Sequence, residues 1–151
     1  MQNTVSQISV SKTEAFNALG YEYKATRGVW TAEKSDSVLV TLWQRTIRWG
    51  NDERGSYLYV DLEELLEDGC WARTIAALPE NPRHQTRANH LRKALFEGAR
   101  LDVVILLGPV DNASGRSLAW VDGKNENLTW RVVHVAEDTG HYRVEARKNW
   151  S

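Results

Sequence analysis

The stretch Leu101-Asp102-Val103-Val104-Ile105-Leu106-Leu107, closed by Gly108-Pro109, limits the possible folds of this chain more than any other segment. Its uninterrupted apolar part, Val103–Leu107, is far shorter than the roughly 20 residues a membrane-spanning helix needs. A short, partly β-branched run bounded by turn formers reads instead as a strand with both faces covered. Val103, Ile105 and Leu107 fall on one face, and Val104 and Leu106 on the other. Such a strand belongs in the middle of a sheet.

The flanking segments supply the rest of the architecture. Ser11-Lys12-Thr13-Glu14 is a capping box that starts a short helix reaching about Leu19 and stopped at Gly20. Val38–Trp43 and Tyr57–Val60 read as strands, joined through the polar turn Gly50–Gly55 into a hairpin. Asp61 caps a short acidic helix through Leu66, which Asp68-Gly69 ends. After the breaker Pro79-Glu80-Asn81-Pro82, a longer helix runs from about Arg83 to Glu97 and stops at Gly98. Its buried stripe is Ala88, Leu91, Ala94 and Leu95, with Arg87, His90 and Lys93 toward water or a ligand. Ser117–Val121 and Leu128–Val135 are further strands, and Glu137-Asp138-Thr139-Gly140 turns the latter into Tyr142–Ala146.

Helix, two strands, two helices and four strands lack the regular alternation of a parallel α/β sheet. The expected fold is α+β: a curved mixed or antiparallel sheet, partly closed into a barrel of the PUA-like kind, with helices packed outside. Residues 1–10 read as a loose N-terminus and 11–151 as one domain. A chain of 151 residues can bury a real core.

Composition narrows the function class. The net charge of −1 gives no global attraction for nucleic acid or anionic membrane. Charge is uneven, however: Asp61, Glu63, Glu64, Glu67 and Asp68 form an acidic segment fit for a protein partner, while Arg83, Arg87, Arg92 and Lys93 form a basic one. Cys70 is the only cysteine, which excludes an internal disulfide and a cysteine-based zinc site. With no secretory signal pattern at the N-terminus, a reducing cytoplasm is the expected location and no membrane association is expected.

Glycine-rich nucleotide fingerprints, phosphate loops, His-Glu-x-x-His and Gly-x-Ser-x-Gly are all missing, so the chain reads as a binding module more than an enzyme, with no cofactor or metal implied. His84 and His90 fall on different helix faces, while His134 and His141 could approach each other at a hairpin end. The seven tryptophans carry most of the functional information, because a Trp supplies a large flat contact with a polar edge. Trp43, Trp120 and Trp130 lie in strand patterns and read mainly as core. Trp30 and Trp49 lie at loops, and with Tyr57 they are candidates for a cage around a planar ligand, Arg45 or Arg48 at its rim. Arg83, Arg87 and Lys93 read either as a solvated face or as a phosphate grip, the helix start adding free N–H groups.

The segments "RANHLRKALFEGARLDVVILLG" and "LTWRVVHVAEDTGHYRVEA" resemble the PUA-like and SRA-like modules that accompany modification-dependent nucleases in bacterial defence. The resemblance implies a curved sheet that holds a flipped, often methylated base of DNA in an aromatic pocket. The matching positions are Trp30, Trp43, Trp49 and Tyr57, with Asp61 reading a base edge and basic loops gripping the phosphates. No nuclease segment accompanies them here. Two other classes fit the same residues: a small-molecule binder with a Trp-lined apolar pocket, which needs no basic patch, and a mobile-element protein docking through its acidic segment.

Overall fold

The computed structural model describes residues 10–22, 30–107, 118–121 and 128–150. The element order is β1 (Val10–Ser11), α1 (Lys12–Ala18), β2 (Thr31–Glu33), β3 (Ser37–Trp43), β4 (Arg48–Asp52), β5 (Gly55–Asp61), α2 (Leu62–Glu67), α3 (Ala72–Ala77), α4 (Pro82–Glu97), β6 (Arg100–Leu107), β7 (Leu118–Val121), β8 (Thr129–Val135) and β9 (Tyr142–Arg147). Short 3-10 turns follow β3 and α3. No helix among the described residues is long and apolar enough to cross a membrane.

Local chemistry explains most of these boundaries. At α1 the Ser11 hydroxyl accepts from the Glu14 N–H, and the Glu14 carboxylate accepts from the Ser11 N–H, both at 3.1 Å. Asn81 caps α4 through Arg83 N–H, Pro82 occupies the first turn, and Gly98 ends the helix at φ +73°, a left-handed position that suits glycine. β8 and β9 form the expected hairpin, with Gly140 at φ +76° closing its turn.

The strands form two sheets. The first has the order β1-β7-β6-β3-β2 and the second β4-β5-β9-β8. β6 is the middle strand of the first sheet and runs parallel to β3. A parallel pair requires a crossover, and here the crossover carries β4, β5 and helices α2 to α4. Val38, Val40 and Leu42 of β3 and Leu101, Val103 and Ile105 of β6 enter the larger core. That core also holds Ala88, Leu91 and Ala94 of α4, Leu62 and Leu65 of α2, and Trp130, Val132 and Val144 of the second sheet. The alternate residues Leu39, Val104 and Leu106 join Ala15 and Phe16 of α1 and Tyr21 in a smaller core. The first sheet is therefore covered on both sides, as the β6 sequence requires.

The α+β class and its mixed, antiparallel-rich sheets agree with the sequence reading, but three expectations are corrected. The sheets do not close into a barrel. Residues 38–43 and 57–60 do not form a hairpin: β3 pairs with β2 and β6, while β5 pairs with β4 and β9. The true hairpin partner, β4, is the polar segment Arg48–Asp52, whose composition imitates a turn. Trp43 is not core; it ends β3 with 37% of its surface exposed. Trp130 is core, and the side chain of Trp120 lies outside the described residues. Strand β2 and helix α3, too short for a readable period, were not expected.

Because Ile105 is 1% exposed in the larger core, Ile105→Ala is expected to cost about 2–5 kcal/mol of stability. Urea unfolding of both proteins measures this; a loss below about 0.5 kcal/mol would contradict the central position of β6.

Candidate binding pocket

Helix α4 sets the site. Its buried residues are His84, Arg87, Ala88, Leu91 and Ala94, so two polar side chains share the apolar stripe. Arg87 is 8% exposed, so of its two expected settings, water or a ligand, it does not face water. Its guanidinium carbon lies 4.6 Å from the Trp30 ring centroid and 5.0 Å from that of Tyr142. The two rings cover the cation with their electron-rich faces.

The Arg87 Nη2 donates to Nδ1 of His84 at 2.6 Å. Because arginine can only donate, Nδ1 is unprotonated, and His84 Nε2–H donates to the Thr139 carbonyl at 2.9 Å. His84 is thereby neutral, with its pKa pushed down to about 4 by burial first and by the Arg87 charge second. The helix and the β8–β9 turn touch so closely here that a Cβ on Gly140 would lie 3.0 Å from Ala88 Cβ and 3.1 Å from His84 Nε2. Arg92 adds bonds to the carbonyls of Ala136 and Glu137 at 2.9 and 3.2 Å.

In front of Arg87 opens a cavity of about 370 Å³, within the range of small-ligand sites. Its aromatic walls are Trp30, Trp43, Trp71 and Tyr142; Leu62, Leu65, Ile75, Leu78 and Leu106 supply aliphatic surface. Thr41 and Thr46 also line it, but their hydroxyls donate to the carbonyls of Trp30 and Trp43. Trp43 and Trp71 meet edge to face at 6.4 Å, and the exposed Arg45 lies 4.7 Å over the Trp71 ring. Trp71 is held at φ +56°, the only described non-glycine residue with positive φ. Such a conformation costs on the order of 1–3 kcal/mol and gathers at functional sites.

The structure distributes the sequence candidates over different places. Trp30 and Trp43 reach the cavity, with Arg45 beside Trp71 and Arg87 within the lining. Trp49 and Tyr57 do not line it, so the expected cage of Trp30, Trp49 and Tyr57 is not assembled. Trp49 is 72% exposed on β4. The Tyr57 ring lies across Gly50, where any Cβ would come within 2.4 Å of it, and beneath the Arg147 guanidinium at 3.8 Å.

Several polar candidates are occupied by the fold. Asp61 caps α2 with one oxygen and pairs with Arg143 at 3.1 Å through the other, so neither carboxylate oxygen is free for a base edge. Arg48 is held between Glu64 and Asp68 at 2.7 and 2.6 Å, and these carboxylates strengthen its proton affinity. The same contacts occupy part of the acidic segment, leaving Glu63 and Glu67 exposed. Lys93 pairs with Glu33 at 3.1 Å, and His90 is half-buried against Thr31 at 2.8 Å. Arg83 remains exposed, but Asn81 already takes its N–H at 2.9 Å. His141 meets His84, ring centroids 5.8 Å apart, in place of the exposed His134. No group of three or more potential metal ligands exists among the described residues.

Trp71 and Tyr142 are the wall residues that sequence reasoning did not single out. Spacing did carry a signal for Arg87, which stands three residues after His84 and four before Leu91, on the buried stripe. No protein-family model matches this chain, and no curated protein or solved structure matches it either.

The His84 geometry predicts the sign of an acid response. The unfolded chain takes up a proton near the ordinary value of 6.5, the folded chain only near 4. Between those values the unfolded state binds more protons, so stability is complete above 6.5 and falls as pH drops toward 4. In His84→Gln, which can still accept from Arg87 but does not titrate, this part of the loss is expected to vanish. Urea midpoints of the two proteins at pH 7 and pH 5 provide the comparison; equal losses in both would show that His84 is not the group responsible.

Proposed function

We propose that this protein is a binding module that encloses a small planar ligand between the rings of Trp30, Trp43, Trp71 and Tyr142. The observation that carries this reading is the cavity itself: four aromatic side chains from separate elements line one space of about 370 Å³, and one of them is held in a strained backbone conformation. A ring stacked on such walls gains contact on both faces whatever its hydrogen-bonding pattern.

A base flipped out of DNA would offer the same walls a planar ring, and this is the function that the sequence resemblance implies. That reading also needs cations to grip the phosphates. Of the five candidates for that task, the rim residues Arg45 and Arg48 and the α4 residues Arg83, Arg87 and Lys93, Arg48 and Lys93 are paired with carboxylates and Arg87 is buried. Arg45 and Arg83 remain. The balance favours a free small molecule over a nucleic-acid chain.

Titration with free purine and pyrimidine bases and with short DNA duplexes, with and without methylated bases, separates the two by tryptophan fluorescence. The free bases are expected to change the emission of the wild type. Trp43→Ala should weaken their binding by about 1–3 kcal/mol, while Trp49→Ala leaves it unchanged. Binding confined to duplexes and falling steeply with salt would assign the pocket to a flipped base. Emission that responds to none of these ligands would sink the pocket reading.

A further inference from the structure

Among the described residues the other deeply buried arginine, Arg147, provides the comparison for Arg87. Arg147 is 4% exposed and pairs with Asp52 and Glu145 at 2.8 and 2.9 Å. The partly buried Arg143 likewise pairs with Asp61 and Glu145 at 3.1 and 2.8 Å. Among the described residues Arg87 has no such carboxylate, and no Asp or Glu of theirs lines the cavity. Its one hydrogen bond among them goes to the neutral His84, and its buried Nε has no partner.

The rings of Trp30 and Tyr142 lie near the guanidinium at 4.6 and 5.0 Å. Stacked aromatic faces offset part of a cation's lost hydration, but they accept nothing from the N–H groups in its plane. A guanidinium has five such donors, and a buried charge left without a counter-charge is unfavourable. A planar carboxylate matches this need, because it brings one negative charge and two oxygens in the plane of the donor fork. One arginine balances a monoanion; a phosphate dianion would be left half neutralised.

We propose that the ligand of this pocket is an aromatic monocarboxylate, its ring against the tryptophan walls and its carboxylate on Arg87. This inference rests on the pocket reading above and adds the charge of the ligand. Arg87 is then a specificity-determining residue, binding neutral rings, the free bases among them, more weakly than acids because they leave the guanidinium uncompensated.

The test uses matched pairs of acid and amide, benzoate with benzamide and orotate with orotamide, titrated into the full chain by calorimetry. Each acid is expected to bind about 10- to 100-fold more tightly than its amide, the usual worth of a charged hydrogen-bonded contact. Arg87→Met, which removes the buried charge while keeping apolar bulk, is expected to bring the acids down to the level of the amides. The wild-type comparison decides the matter even if that variant does not fold. Equal affinity of acids and amides would overturn the carboxylate assignment and leave the aromatic pocket standing. Absence of binding by all four compounds at millimolar concentration would overturn this inference, and an accompanying lack of response to the free bases would remove the pocket reading as well.

Discussion

The desolvation of Arg87 is the constraint on which the site depends. A guanidinium withdrawn from water must be held by groups that recover some of its lost hydration, and here they come from separate parts of the chain. Trp30 precedes β2, Tyr142 begins β9, and His84 lies one turn earlier on α4. Because His84 must accept from Arg87, its other nitrogen is committed to the Thr139 carbonyl. That bond needs the β8–β9 turn to sit directly on the helix, which the missing side chain of Gly140 permits. One buried charge thus couples the orientation of α4 to both sheets.

The second sheet shows the opposite treatment of charge. Along β5 and β9, Tyr57, Tyr59, Arg143, Glu145 and Arg147 interleave, and Asp52, Asp61 and Glu64 close the network. Arg143 and Arg147 lie over the rings of Tyr59 and Tyr57 at 4.3 and 3.8 Å while carboxylates satisfy their donors. These contacts hold β5 to β9 and join α2 to the sheet through Asp61. Each arginine of this network is balanced by carboxylates, which is why an arginine-rich and tyrosine-rich face does not amount to an open basic surface. The pocket lies where this balance is missing.

Of the four aromatic candidates read from the sequence, Trp30 and Trp43 line the cavity. Trp49 looked equivalent to Trp30 because loop position and neighbouring arginines are local properties, and Tyr57 joined them only through the expected hairpin. In the fold, β4 and β5 belong to the second sheet and carry both residues away from the cavity lining. Trp71 was inconspicuous because nothing local marks a tryptophan that must enter a left-handed conformation at the start of a six-residue helix.

What the sequence determined by itself is what short-range chemistry controls. The capping box of α1, the Asn81-Pro82 start and Gly98 end of α4, the apolar run of β6 and the β8–β9 turn are all readable, because each depends on neighbours within a few residues. Tertiary structure alone decided that β3 lies parallel to β6, that β5 joins β4 and β9, and that Arg87 is covered. Strand partners and burial depend on which distant segments arrive at a surface. The period of α4 placed Arg87 beside the apolar stripe, but only the arrival of Trp30 and Tyr142 from elsewhere in the chain made that position an enclosed cationic site.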